Sequence, residues 1–253
     1  MSRAMLIDIT RCLGCNACTQ ACKTANNVPN GIFRTKIEEH EAGVYPTVKV
    51  NFVKNACKHC LKPACASACT VGALQKMADG PVIYNSSKCI GCRYCMYACP
   101  FGIPKFDWDS QLALIEKCDL CIGRADGGVG PACAEACPFG AITYGDRDEL
   151  LAEAYRRIQT HPDRYINHVY GEREAGGLSI LYLSSTPFNE IGFHEVGEES
   201  PAYANEEVMH ATPTIAAGMA LALTGIYWTV KRRNQRHAEQ LAAALEANEK
   251  EKN

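Results

Sequence analysis

Sixteen cysteines carry the recognisable chemistry of this 253-residue chain, all between Cys12 and Cys137. They fall into four groups of four. Cys12, Cys15, Cys18 and Cys22 read C-x2-C-x2-C-x3-C, and Cys57, Cys60, Cys65 and Cys69 read C-x2-C-x4-C-x3-C. Cys89, Cys92, Cys95 and Cys99 repeat the first spacing, and Cys118, Cys121, Cys133 and Cys137 read C-x2-C-x11-C-x3-C. Disulfides fit this pattern badly, because three cysteines two residues apart crowd one tight loop with no separate partners, in a chain longer than disulfide scaffolds usually are. Structural zinc wants two C-x2-C knuckles some distance apart, without a third and fourth cysteine so soon after.

The run C-x2-C-x2-C-x3-C-P belongs to bacterial cubane loops. Three thiolates wrap one [4Fe–4S] cluster and the fourth ligates a different one. Four groups therefore predict four clusters in two pairs that trade their last cysteines. Spacing alone leaves open which groups pair. An internal repeat follows three groups: Cys69-Thr-Val-Gly-Ala-Leu, Cys99-Pro-Phe-Gly-Ile and Cys137-Pro-Phe-Gly-Ala-Ile. Gly72, Gly102 and Gly140 share one offset, which predicts a turn needing positive φ or close backbone approach. The first group departs, since Lys23 follows Cys22.

These loops need short elements around them. Strands are expected at Met5–Ile9, Val44–Val53, Pro81–Tyr84, Ala141–Tyr144 and Leu178–Leu183. Asp146 with Glu149 resembles a capping box, and Leu150, Leu151, Ala154, Tyr155 and Ile158 form the stripe of a packing helix. The fold class is α+β: a tandem bacterial-ferredoxin-like body over residues 1–160, whose clusters do part of the work of a core. Residues 161–210 are an extension on the body or a partner, loop-like and glutamate-rich from 184.

Residues 211–230 carry no charge, and about twenty residues at ~1.5 Å each span a bilayer's hydrocarbon. Tyr227 and Trp228 sit at the far end, as interfacial aromatics do. Pro213, Gly218 and Gly225 are tolerated in a membrane helix, and Gly218 with nearby alanines suits helix–helix packing. Lys231, Arg232, Arg233 and Arg236 follow, whereas Glu206 and Glu207 precede. The positive-inside rule puts the charged tail, 231–253, in the cytoplasm and the body in the periplasm. Met1–Thr10 has neither an apolar h-region nor twin arginines, so export by a signal-bearing partner is expected. The balance of 26 Lys and Arg against 28 Asp and Glu leaves nothing to track a phosphate backbone, so no nucleic acid is expected.

The run Cys89 to Phe106 resembles the four-cluster iron–sulfur subunits of membrane-bound oxidoreductases, as do Cys57-Lys-His-Cys60 with Pro63 and Lys117-Cys-Asp-Leu-Cys121. That family includes electron-transfer subunits of formate dehydrogenases, of dimethyl sulfoxide and polysulfide reductases, and of some nickel–iron hydrogenases. Tyr170-Gly-Glu-Arg-Glu-Ala-Gly-Gly177, with one C-terminal anchor, is most similar to the formate dehydrogenase β subunit and the hydrogenase-2 iron–sulfur subunit. The resemblance implies a conductor on the bacterial cytoplasmic membrane. Its partners would be a large catalytic subunit (molybdopterin or nickel–iron) and an integral membrane cytochrome b or quinone-binding subunit.

The resemblance also implies a pairing. Cys12, Cys15, Cys18 and Cys137 would hold one cluster, and Cys118, Cys121, Cys133 and Cys22 its companion. Cys57, Cys60, Cys65 and Cys99 would hold a third, and Cys89, Cys92, Cys95 and Cys69 a fourth, with the first pair toward the catalytic subunit. Lys58, His59, Arg93 and Lys117, inside or beside the cysteine runs, are candidates for raising cluster potentials through positive charge. No dinucleotide fingerprint or catalytic constellation stands out, so the chain is expected not to be an enzyme alone. The competing reading, a free-standing membrane-anchored polyferredoxin or redox sensor, would lack a tightly bound catalytic subunit.

Overall fold

The computed structural model describes residues 2–108 and 114–251. In chain order the elements are β1 (Arg3–Asp8), α1 (Ala17–Asn26), β2 (Thr35–Ala42), β3 (Lys49–Ala56), α2 (Ala64–Ser67), β4 (Leu74–Lys76), β5 (Val82–Tyr84) and α3 (Tyr94–Ala98). Then come β6 (Lys105–Phe106), β7 (Ile115–Glu116), α4 (Ile122–Asp126), α5 (Ala132–Glu135), β8 (Ile142–Asp146), α6 (Arg147–Thr160), β9 (Ile180–Leu183) and α7 (Ala202–Glu251).

β1 is central in a three-stranded sheet, antiparallel to β8 and parallel to β9. Its run Ala4-Met5-Leu6-Ile7 is buried throughout because both faces are covered. Met5 and Ile7 face the cysteine side with Ile142, Ile180 and Tyr182. Ala4 and Leu6 turn to α6, where they meet Leu150, Ala154 and Ile158. The Asp146 side chain caps that helix by accepting from the Asp148 amide at 3.0 Å. Three hairpins, β2–β3, β4–β5 and β6–β7, complete the strands. α1 packs on α5 and α2 on α3, so each half of the body is built on a helix pair.

Two strand expectations need correction. Residues 44–48 turn rather than extend, and Pro46, which has no amide hydrogen, lies in that turn; the strand proper is Lys49–Ala56. Its partner Thr35–Ala42 was not foreseen, because Glu38, Glu39, His40 and Glu41 give it no apolar alternation. The loop expected over 184–210 is also cut short, since helix begins at Ala202.

The chain divides into two units, Met1–Asn205 and Glu206–Asn253. The second is helix, continuous past Pro213 and through the charged tail to Glu251. This helix is long and apolar enough to cross a membrane, with mean hydropathy 1.3 over eighteen residues and none of that window buried.

Candidate iron–sulfur site

The first and third cysteine groups open on the same local device. Asp8, four residues before Cys12, caps a 3-10 turn by accepting from the Thr10 amide at 3.1 Å. Asn85, four residues before Cys89, accepts from the Ser87 amide at 3.0 Å. Two residues after the first cysteine the backbone turns left-handed in all four groups, at Gly14 (φ 72°), His59 (48°), Gly91 (69°) and Leu120 (61°). That turn aims the amide back at sulfur: Gly91 donates to Cys89 Sγ at 3.5 Å and Leu120 to Cys118 Sγ at 3.4 Å. At Gly14 a side chain is also barred by space, because a Cβ would lie 2.6 Å from the Phe52 ring.

The glycines after the last cysteines have φ of 62° (Gly72), 58° (Gly102) and 59° (Gly140), and nothing crowds them closely. Positive φ, not close approach, is their reason. The turn lets Ala73 donate to Cys69 Sγ at 3.2 Å and Ala141 to Cys137 Sγ at 3.3 Å. Hydrogen bonds of this kind stabilise a negative sulfur.

α1 carries Cys18 and Cys22 one turn apart, and the two side chains enter different cavities. One cavity is lined by Cys12, Cys15, Cys18 and Cys137. The other is lined by Cys22, Cys118, Cys121 and Cys133. α5 mirrors the exchange, with Cys133 on the helix and Cys137 just past it. In the other half the electrostatic neighbours of Cys65 are Cys57, Cys99 and Cys60, and those of Cys95 are Cys69, Cys92 and Cys89. Cys118 lies close enough to feel the charge of Cys57, which links the two halves. Among the described residues no three His, Cys, Asp or Glu converge as one metal ion requires. A cubane instead takes four thiolates spread over its corners, and the sulfurs ring a space in this way.

Burial raises these thiols. It pushes Cys22 up to about 11, Cys95 to about 11 and Cys60 to about 12, and Cys12, Cys18, Cys65, Cys99, Cys118 and Cys121 upward too. Such thiols stay protonated at neutral pH until bonding to iron displaces their protons into solvent, so cluster binding and folding are coupled. The sulfurs are also core: Cys18, Cys57 and Cys133 pack with Met5, Ile7 and Leu120, and Cys65 and Cys95 with Leu74 and Val82. A donor set of cysteines, in largely buried walls with amides aimed at sulfur, fits [4Fe–4S] clusters.

The four candidate cations separate by environment. Lys58 is buried, donates to Tyr182 Oη at 2.9 Å and lies 4.5 Å above that ring. Lys117 is buried and donates to the Cys118 carbonyl at 2.5 Å and to the Val82 carbonyl. Arg93 is exposed, its guanidinium 4.2 Å from the Trp108 ring centre. His59 departs from the expectation of a cation. Burial, with Lys117, Lys76 and Lys54 nearby, holds it well below the ordinary imidazole value, and its Nδ1 accepts from the Val82 amide at 2.9 Å. It is a neutral imidazole. Two buried or half-buried lysines were missed. Lys54 hid in a strand whose alternation it breaks, since Val53 and Lys54 are both buried; Lys76 donates to the His59 carbonyl at 3.2 Å.

Fold and thiols together define a cluster-binding electron-transfer protein. Residues 48–147 match the 4Fe-4S dicluster domain. A protein of Nitratidesulfovibrio vulgaris is 40% identical over 96% of this chain and 71% of its own length. The hydrogenase-2 operon protein HybA of Escherichia coli O157:H7 is 32% identical over 93% of this chain and 87% of its own. The iron–sulfur subunit of the nitrate-inducible formate dehydrogenase of Escherichia coli K12 is 34% identical over 71% of this chain and 67% of its own. The chain belongs to this family of 4Fe–4S dicluster iron–sulfur subunits, and is an electron-transfer subunit of an oxidoreductase complex rather than an enzyme by itself.

Proposed function

We propose that the chain passes single electrons through four [4Fe–4S] clusters, between a catalytic subunit holding molybdopterin or nickel–iron and a quinone-reactive membrane subunit. The observation that carries this reading is the interleaving of thiols: one helix, α1, sends Cys18 and Cys22 into two separate four-cysteine cavities. The assignment is then Cys12, Cys15, Cys18 and Cys137 for cluster one, and Cys22, Cys118, Cys121 and Cys133 for cluster two. Cys57, Cys60, Cys65 and Cys99 hold cluster three, and Cys69, Cys89, Cys92 and Cys95 hold cluster four. When bound, the clusters supply one-electron redox capacity. The chain supplies spacing, sulfur hydrogen bonds and dry walls.

Two cysteines are exposed, Cys15 beside exposed Leu13 and Cys92 beside exposed Ile90 and Tyr94. Such apolar rims around an exposed ligand suit docking of a donor and an acceptor. Relatives named for a formate dehydrogenase and a hydrogenase-2 operon support the choice of catalytic partner. The proposed division is a cluster body over 1–160, an extension over 161–210 that packs on the body and supplies its strand β9, a span over 211–230 and a cytoplasmic tail over 231–253. The body would be periplasmic on the bacterial cytoplasmic membrane, a sidedness supported by the basic flank Lys231–Arg233 and Arg236. Anaerobic purification of the membrane complex tests this. Roughly sixteen irons per chain are expected, with a large subunit found by mass spectrometry and the body cleaved by protease in intact spheroplasts. Iron well short of that count, or a body protected in spheroplasts, refutes the respective part.

A further inference from the structure

The two cavities of the first half share one wall residue. Lys54 on β3 lines the cavity of Cys12, Cys15, Cys18 and Cys137, and also the cavity of Cys22, Cys118, Cys121 and Cys133; among the described residues no other lines both. It is 3% exposed. The groups that bear most strongly on its charge are Cys133, Cys118, Tyr182 and Cys18; Asp119, the carboxylate in the wall of the second cavity, is paired instead with Arg34 at 3.6 Å. Its positive charge in turn bears on Cys12, Cys18, Cys22 and Cys118, drawn from both sets.

An ammonium taken out of water without an ion pair to a carboxylate is costly in a folded chain, and an apolar side chain would pack there at less cost. Nearby anionic sulfur removes that cost. The other buried lysines have different work. Lys58 binds a tyrosine hydroxyl and Lys117 two carbonyls.

We propose that Lys54 is a shared counter-ion of the first cluster pair, raising the potentials of both clusters together and damping the repulsion between them. This rests on the cluster assignment given above. Adding one electron to a site beside Lys54 adds one negative charge, with no proton transferred, and the lysine keeps its proton in both states. One fixed positive charge between the two sites favours reduction of each. Because it is shared, an electron on one site is partly offset before the next arrives.

The test is Lys54→Met in the full-length chain, purified anaerobically with its complex and titrated by EPR. With wild-type iron content, two of the four midpoints should fall, each reduction equilibrium weakening by about tenfold, or about 59 mV for one electron. Lys54→Arg should restore both. Unchanged midpoints, a shift in one cluster alone, or an equal shift in all four overturns the proposal. If Lys54→Met loses iron, Lys54→Arg must recover both loading and potentials; failure of Lys54→Arg shows that shape rather than charge matters and also overturns it. A wild-type chain well short of sixteen irons would instead defeat the cluster assignment itself.

Discussion

Replacing Tyr182 by Phe removes one oxygen from a ring that is fully buried. The hydroxyl accepts from Lys58 Nζ at 2.9 Å and donates to the Lys54 carbonyl at 2.9 Å, tying β9 to β3 just ahead of Cys57. The ring remains, so its contacts with the Lys58 ammonium (4.5 Å) and with Phe193 (centroids 4.9 Å apart) persist and the hydroxyl is isolated. Stranding a buried ammonium costs about 1.5–3 kcal/mol. At about 1.4 kcal/mol per tenfold step, that is about 10- to 150-fold in the local opening equilibrium. Amide hydrogen exchange on the anaerobic, cluster-loaded complex reads that equilibrium. Peptides covering β3 and β9 should exchange faster by this factor, while the β6–β7 hairpin, which packs in a different apolar cluster, should keep its protection. Exchange in β3 within about twofold of wild type would refute the argument, because a water or a shifted lysine would then be replacing the hydroxyl without loss.

Cys22→Ala and Cys133→Ala should erase the same EPR signal, with between about one and four irons lost per chain, whereas Cys18→Ala, one helical turn from Cys22, should erase a different signal. Arg93→Gln should move the midpoints by less than about 30 mV, because an exposed charge is screened. Lys117→Met, which removes a buried charge close to Cys65, should lower at least one midpoint by about 60 mV in the same titration. Hydrogen bonds from Arg156 and then Arg157 hold the Glu153 carboxyl down to about 2. A carboxyl lowered on folding stabilises above its unfolded value and loses that contribution as pH falls through the folded one. Glu153→Gln should therefore lower the thermal midpoint only slightly at neutral pH, because exposed pairs are screened, and the difference should vanish between pH 4 and 2.

The cysteine spacing by itself determined the chemistry. Thiols two residues apart have few uses, and a fourth thiol three residues on, across a helical turn, matches the bacterial cubane run. The short apolar run around Met5 and Ile7, the Asp146 cap and the uncharged stretch after His210 were legible for the same reason: each is a local pattern a few residues long. The positive φ at Gly72, Gly102 and Gly140 was legible as one of two reasons. At His59 and Leu120 the same left-handed turn was hidden, because residues with side chains occupy it.

Tertiary structure decided everything that depends on distance across the chain. β2 exists because β3 pairs with it, not because its own residues favour a strand. His59 looked like a cation beside cysteines, and burial makes it neutral. Lys54 lies one residue past the expected strand Val44–Val53 and drew no reading, and closure of α1, β3 and α5 around it sets it in the wall of two cysteine cavities at once. Charge and burial are collective quantities, summed over neighbours that lie far apart in sequence, and no spacing rule along the chain carries them.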